Sequence, residues 1–302
     1  MPRLSLILMV WNTTHLLGRT LKTLEQQDTD FEILVIDDNS EDDVAAIVAA
    51  SSLPIKLLRL EHNFGMRGNT ESIRAGIEAA SSDIVMWSTP EVMLSPLTLD
   101  AVVNTVSSKR FVTVPSHGLT LGIQLQLDSV DWYSNITTIG TLIEASDDDF
   151  THRWFDLNFY QDGDITKPHK QSYGNNQTVA VLKEQWLKEV GHFPRFYDYG
   201  SDDPWVSGKR REKGYTDVTL WEYPAYHQWH AKAQFWMAQG KAPHWNRFGH
   251  TMSNIANDPQ VPVGGTCTIW DGGSHAQMTR QEIDSELSWS DWVTQTGFKR
   301  KV

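Results

Sequence analysis

Strand-length apolar segments alternate with helical patterns over the first hundred residues, and this alternation constrains the fold more than any other feature. The apolar segments are LSLILMV at 4–10, FEILVIDD at 31–38, IKLLRLE at 55–61 and DIVMWS at 83–88. Near-continuous apolar runs of this length are typical of parallel strands that helices cover on both faces. The alternation therefore predicts an α/β fold with a doubly wound, mostly parallel sheet flanked by helices.

Helical patterns fill the intervals between these strands. They lie at 15–27, 40–51 and 69–80, and another follows Pro96. Open sheets of this kind bind ligands beyond the carboxyl ends of the strands, where the strand order reverses. Three short segments lie at such ends, namely Val10-Trp11-Asn12, Asp37-Asp38 and Thr89-Pro90-Glu91. We therefore expect a ligand site at this edge of the sheet.

The periodicity weakens beyond residue 110. Strands are predicted at 110–115, 137–145 and 177–183, and helices at 183–190, from Pro204 onward and near 280–290. We detect neither a linker nor an internal repeat. The prediction is one unit at 1–234, with halves at 1–96 and 97–234, and a C-terminal extension at 235–302 that packs on it as a possible lid.

Composition narrows the class of protein. The net charge of −12 disfavours non-specific nucleic-acid binding, although the basic stretch SGKRREKG at 207–214 leaves a nucleic-acid acceptor as an open alternative. A single cysteine, Cys267, fits a reducing compartment, and no apolar run is long enough to cross a bilayer, so we expect a cytoplasmic protein. Thirteen tryptophans could serve the core or stack on ligand rings.

Three sequence blocks, in order, carry a family resemblance. They are LSLILMVWNTTHLLGRTLKTLEQQDTDFEILVIDDNSEDD, then NFGMRGN with AGIEAASSDIV, then VAVLKEQWLKEVGHFPRFYDYGSDDPWVSGKRREKGYTDV. Together they resemble family 2 glycosyltransferases of the GT-A fold. The resemblance implies an inverting enzyme that moves a sugar, most simply a hexose, from a UDP-sugar to a hydroxyl of a glycan or other acceptor. It also implies a divalent cation, Mn²⁺ or Mg²⁺, on the diphosphate.

The resemblance assigns the nucleotide-binding residues. Val10, Trp11 and Asn12 lie at the carboxyl end of the first strand, and Trp11 takes the place of the family's usual tyrosine near the base. Asp38 matches the aspartate that accepts a hydrogen bond from the uracil ring, although it could instead cap a helix beside Ser40. Arg67 lies in a loop after the third strand, where it could contact the diphosphate or remain a surface arginine.

The metal motif departs from the family pattern. Thr89-Pro90-Glu91 stands where the family has Asp-x-Asp, so that only the final acid is kept. The resemblance implies Glu91 as a metal ligand, joined by His227 or His230 from the C-terminal side. Thr89 would contact a ribose hydroxyl or a metal-bound water. A cation shared with phosphates can use few protein ligands, so the substitution leaves metal dependence open.

The catalytic base is expected in YGSDDPW. Asp203 matches the family's base and Asp202 the residue that contacts the acceptor sugar, while an aspartate before Pro204 could also serve as a helix cap. The resemblance implies that Asp38, Glu91 and Asp203 line one cleft. Two acidic stretches are not predicted metal sites, because QDGDIT at 161–166 reads as a hairpin turn and SDDDF at 146–150 as a solvated loop.

Two other functions compete with transfer. A sugar-nucleotide pyrophosphorylase needs a glycine-rich loop with a basic residue after the first strand, and VWNTTH has neither. A relative that binds carbohydrate or nucleotide but has lost catalysis would explain Thr89 and the many tryptophans.

Overall fold

A computed structural model defines the fold. It describes residues 2–61, 68–118, 178–192, 202–228, 266–270 and 275–279. The chain divides into two compact units, the first made of 1–62, 72–191 and 206–230 and the second of 63–71, 192–205 and 231–302. Within the described ranges, no helix is both long enough and apolar enough to cross a lipid bilayer.

The first half of the chain alternates strand and helix as the sequence predicts. Its elements are β1 (Leu4–Val10), α1 (Thr14–Leu24), β2 (Phe31–Asp37), α2 (Val44–Ala49), β3 (Ile55–Arg59), α3 (Gly68–Ala79) and β4 (Ile84–Ser88). β1 pairs in parallel with β2 on one side and with β4 on the other, and β2 pairs in parallel with β3. The predicted α/β fold with a mostly parallel sheet is confirmed.

The later elements widen this sheet and add two smaller ones. They are β5 (Val92–Leu94), α4 (Thr98–Thr105), β6 (Arg110–Thr113), β7 (Ser116–Gly118), β8 (Val179–Leu182), α5 (Lys183–Glu189), α6 (Asp202–Glu212), β9 (Thr216–Thr219), β10 (Ala225–His227), β11 (Thr266–Trp270) and β12 (His275–Thr279). The seven-stranded sheet has the order β3-β2-β1-β4-β8-β6-β9, in which β8 runs antiparallel to both neighbours. A second sheet has the order β5-β10-β7, and β11 pairs with β12.

Several predicted features lie outside the described residues. These are the strand at 137–145, the helix near 280–290 and the acidic stretches at 146–150 and 161–166. The domain boundary at residue 234, and the packing of 235–302 as a possible lid, stay predictions.

β1 forms the centre of the core, and all seven of its residues are buried. Side chains alternate between the two faces of a strand. Leu4, Leu6, Leu8 and Val10 therefore share one face. They belong to the same buried cluster as residues of α1, α2 and α4, which from α1 includes Leu17, Leu21 and Leu24. Ile7 lies on the opposite face, against α3. Burial on both faces explains why the sequence of β1 is almost continuously apolar.

Two helix starts differ from the sequence prediction. α2 begins at Val44, and its cap is the carboxylate of Asp43, which accepts from the amide of Ala46 at 3.0 Å. α6 begins at Asp202, two residues before Pro204. Proline is tolerated there because amides in the first turn of a helix have no acceptor within the helix.

Two of the tryptophans serve the core. Trp87 of β4 and Trp186 of α5 are fully buried, with ring centroids 5.8 Å apart. Phe111 of β6 lies 6.3 Å from Trp87 and 5.9 Å from Trp186, and the guanidinium of Arg210 lies 4.6 Å from the Phe111 ring. These contacts fix α5 and the C-terminal part of α6 against the sheet.

The contact between α3 and β1 gives a test of the packing. A Cβ added at Gly76 would lie 2.4 Å from Cγ2 of Ile7, which is fully buried and stiff because it is β-branched. Gly76→Ala should therefore lower the free energy of unfolding by about 1–3 kcal/mol, measured by chemical denaturation.

Gly18 of α1 is the matched control, because a Cβ there would meet no heavy atom within 4 Å. Gly18→Ala should raise the free energy of unfolding by about 0.5–1 kcal/mol, since it removes only the entropic cost of a helical glycine. Stabilisation by both changes would contradict the close packing of α3 on β1.

Candidate functional site

The predicted ligand edge is formed by the carboxyl ends of β1, β2 and β4. From β1 the chain proceeds to β2 and β3 on one side of the sheet and returns to β4 on the other. The strand order therefore reverses between β1 and β4, where an open α/β sheet has its ligand crevice. Trp11 and Asn12 follow β1 at this point, and Thr89-Pro90-Glu91 follow β4.

The loops after β1 and β2 are joined by hydrogen bonds. The amide of Asn12 donates to the Ser40 hydroxyl at 3.0 Å, and its side-chain carbonyl accepts from the Glu41 amide at 2.7 Å. Asn12 has a positive φ of 50°, a conformation that asparagine adopts more readily than most residues. Asn12 thus has a structural role at the site, and its predicted contact with the nucleotide stays a prediction.

The two aspartates at the end of β2 have different surroundings. Asp37 accepts from the Ser40 amide at 2.8 Å and forms an ion pair with Arg59 at 2.9 Å. The amide of Asp38 donates to the carbonyl of Val10 at 2.8 Å, and Asp38 is only 2% exposed. Because Asp43 caps α2, the alternative reading of Asp38 as a helix cap loses its support. The ion pair with Arg59 could not be predicted from the sequence, since an arginine in a strand has many possible partners.

Trp11 is the most exposed large apolar side chain in the described part of the chain, at 49%. Its neighbour Val10 is buried at the end of β1. An indole held beside a ligand crevice presents a flat apolar face on which a planar ring can stack.

The segment after β4 is a tight turn. The amide of Val92 donates to the carbonyl of Thr89 at 3.2 Å, which closes a β-turn with Pro90 and Glu91 at its central positions. Thr89 is only 8% exposed, and its hydroxyl is a buried group for which the described residues provide no hydrogen-bond partner. A buried hydroxyl of this kind is usually satisfied, so a ligand or water is the expected partner.

The second sheet brings the candidate histidine to this turn. β10 runs antiparallel to β5, with His227 opposite Val92, the residue that directly follows Glu91. The pairing continues one residue further, because the amide of Gln228 donates to the carbonyl of Glu91 at 2.8 Å. His227 is buried. The fold thus joins two of the predicted metal-binding segments, although they are more than a hundred residues apart in the chain.

Gln228 belongs to the site but is not predicted from the sequence. This side chain is fully buried and hydrogen-bonds to the backbone of both α1 and the turn. A glutamine after His227 has no distinctive signal, because its role depends on contacts with residues 16, 20 and 90.

Four further residues of the predicted site have side chains outside the described part of the chain. Asp202 and Asp203 form the start of α6, but their side chains lie outside the described part, as do Arg67 and His230. Among the residues described, no three or more His, Cys, Asp or Glu side chains form a cluster able to hold a metal ion.

The sequence of this chain matches a family model and a curated relative. Residues 5–118 match the model of glycosyl transferase family 2. A curated relative, the uncharacterized protein MT1568 of Mycobacterium tuberculosis, is 29% identical over 143 residues. That alignment covers 46% of this chain and 42% of the relative, so the chain spans less than half of the relative's length.

Solved structures share the fold at low sequence identity. TarS 1-349 of S. aureus in complex with UDP-GlcNAc has a TM-score of 0.54 at 14% identity, covering 79% of this chain and 64% of the TarS 1-349 chain. The mannosyltransferase PcManGT of Pyrobaculum calidifontis, in complex with GDP-Man and Mn²⁺, has a TM-score of 0.50 at 16% identity, covering 79% of this chain and 60% of that protein. The shared architecture is the GT-A fold.

Proposed function

On the premise that this chain carries a glycosyl transferase family 2 region of the GT-A fold, we propose that it transfers a sugar from a UDP-sugar to a hydroxyl acceptor. The observation that carries the proposal is the buried Thr89 hydroxyl, which lies two residues before Glu91 where the strand order reverses. A polar atom at this place, with no described partner, suits a ligand that brings its own hydroxyl or phosphate groups.

The donor would bind along the edge formed by β1, β2 and β4. In this proposal Asp38 accepts a hydrogen bond from the uracil ring, Trp11 lies against the base, and Thr89 contacts the ribose. The half-exposed indole and the buried carboxylate support these roles, because one offers a stacking surface and the other an oriented acceptor. The complexes of TarS with UDP-GlcNAc and with UDP support the choice of a uridine nucleotide.

The residues near the turn suit a hard divalent cation. Glu91 would supply a carboxylate oxygen, with His227 or His230 as a further ligand, and the diphosphate and water would complete the coordination. When bound, Mn²⁺ or Mg²⁺ would neutralise the negative charge that develops on the departing diphosphate. The Mn²⁺ in the complex of PcManGT supports a metal of this class.

The chemical step requires a base for the acceptor. Asp203 would take the proton of the acceptor hydroxyl while that oxygen bonds to the anomeric carbon. The bond from the anomeric carbon to the diphosphate oxygen breaks in the same step, and UDP leaves with the electron pair. Attack from the face opposite the leaving group inverts the anomeric centre, and Asp202 would hold the acceptor sugar by a hydrogen bond.

Release of nucleoside diphosphate tests this proposal. The full chain is incubated with a panel of UDP-, GDP- and ADP-sugars and a mixture of glycan acceptors, in Mn²⁺, in Mg²⁺ and in EDTA. We expect UDP release from at least one UDP-sugar, stimulated by the acceptor and abolished by EDTA. Release from no nucleotide sugar, under conditions in which the chain is folded, would contradict the proposed activity.

A second candidate function is a nucleotide-sugar binding protein without catalysis. It is favoured by Thr89, which replaces the first acid of the family's metal motif. The same experiment separates the two functions when UDP binding is measured in parallel. Binding without release, with every acceptor tried, would favour the binding protein.

A further inference from the structure

We propose that Gln228, together with Thr20, is a positioning residue that sets the place of Glu91 at the donor site. The inference rests on the proposed function, because Glu91 matters only if it binds a cation or donor. It concerns the Gln228 cluster, which we define as Gln228, Thr20, the carbonyl of Leu16 and the Thr89–Val92 turn.

Gln228 uses its backbone and its side chain to hold the turn. Its backbone amide donates to the carbonyl of Glu91 at 2.8 Å. Its side-chain Nε2 lies 3.2 Å from the carbonyl of Pro90 and 3.0 Å from the carbonyl of Leu16 in α1. Its Oε1 accepts from the guanidinium of Arg19 at 3.2 Å. A side chain with no exposure and this many polar contacts ties the turn to α1.

Thr20 completes the cluster with a consistent set of protons. Its hydroxyl donates to the Pro90 carbonyl at 2.6 Å, so the same oxygen can accept from Nε2 of Gln228 at 3.1 Å. Nε2 carries two protons, of which one suits Leu16 and the other is shared between Thr20 and Pro90. Thr20 is only 1% exposed, so water cannot replace these bonds without a rearrangement.

The turn depends on these external bonds because it has few of its own. Pro90 has no amide proton, and the internal bond of the turn is the one from Val92 to Thr89. The carbonyls of Pro90 and Glu91 are the atoms through which Thr20 and Gln228 hold the turn from outside. Since Gln228 directly follows His227, the same contacts also set the separation between the β10 end and Glu91.

A second buried glutamine provides a matched control. Gln27 lies just after α1 and, like Gln228, links this helix to a loop. Its Nε2 donates to the carbonyl of Ser95 at 2.8 Å, and its Oε1 accepts from the Leu99 amide at 3.1 Å. These contacts hold the start of α4 and do not involve residues 89–91. Gln27→Met and Gln228→Met therefore remove the same kind of group from two different loops.

The first test measures the affinity for UDP by calorimetry in Mn²⁺. We expect Gln228→Met to weaken UDP binding about 10- to 100-fold, the usual loss when a group that orients a metal ligand is removed. Thr20→Val, a smaller change, should weaken it in the same direction, and Gln27→Met should leave it unchanged. Equal weakening by Gln27→Met and Gln228→Met would overturn the positioning role.

The second test needs no ligand. Hydrogen exchange of the peptide that contains the Thr89–Val92 turn should be faster in Gln228→Met than in Gln27→Met, when both are compared under conditions of equal stability. Unchanged exchange at the turn would overturn the proposal. Failure of the wild-type chain to bind UDP would instead contradict the proposed function, and the exchange result would still decide whether Gln228 holds the turn. If Gln228→Met does not fold, Thr20→Val decides both tests.

Discussion

Glu91→Ala is expected to lose the metal-dependent part of UDP binding, with an affinity in Mn²⁺ that falls about 100-fold or more, to the value in EDTA. The reason is that Glu91 lies at the centre of a turn at the carboxyl end of β4, and we propose its carboxylate as the metal ligand. Removing a residue that hydrogen-bonds to a metal ligand typically lowers metal affinity 10- to 100-fold, and removing the ligand itself should lower it more. Calorimetric titration of UDP, with and without Mn²⁺, measures both affinities.

Glu91→Gln tests whether metal-dependent UDP binding needs the negative charge of Glu91. It keeps the length of the side chain and the contacts of the backbone, and it removes the anionic oxygen that a hard cation prefers. We expect Glu91→Gln to behave like Glu91→Ala. Glu184→Ala, at an exposed acid of α5, serves as the control with wild-type binding. If Glu91→Gln retained full stimulation by Mn²⁺, Glu91 would not be a metal ligand.

Asp203→Asn is expected to reduce sugar transfer about 10²- to 10⁴-fold, the contribution of a general base. UDP affinity should stay at the wild-type value, because the base acts on the acceptor and not on the nucleotide. Asp203→Asn should therefore lower the rate of transfer without weakening UDP binding, whereas Glu91→Ala should weaken UDP binding. Initial rates of UDP release, with saturating donor and a range of acceptor concentrations, separate the two effects.

A companion change sharpens the assignment of Asp203. Asp202→Asn should raise the acceptor concentration needed for half-maximal rate more than it lowers the maximal rate, because Asp202 is proposed to bind the acceptor sugar. Asp203→Asn should do the reverse. Wild-type turnover by Asp203→Asn would remove this residue from the mechanism and require a different base.

The parallel part of the fold was predictable because local sequence determines it. The apolar run of β1 is buried on both faces, and the leucines of α1 repeat at helical spacing against the same core. These signals extend over seven or more residues and need no knowledge of distant partners. The position of Trp11, Asp38 and Glu91 at strand ends follows from the same alternation.

The contacts that hold the site together were not predictable, since each joins residues far apart in the chain. β5 and β10 have three residues each, too few for a periodic signal, and they meet across more than a hundred intervening positions. Asp37, which directly precedes Asp38, forms an ion pair with Arg59 from the neighbouring strand. Likewise, residue type alone does not predict that Trp87 is buried in the core while Trp11 is exposed.

The central claim is that the carboxyl edge of β1, β2 and β4 binds a nucleotide through a divalent cation. Thermal unfolding of the full chain with UDP, GDP, ADP and their sugars, in Mn²⁺ and in EDTA, tests it most directly, because a ligand that binds only the folded state raises the melting temperature. We predict a rise with UDP and UDP-sugars that requires Mn²⁺ and disappears in Glu91→Ala. An unchanged melting temperature with every nucleotide, in either condition, would contradict the account.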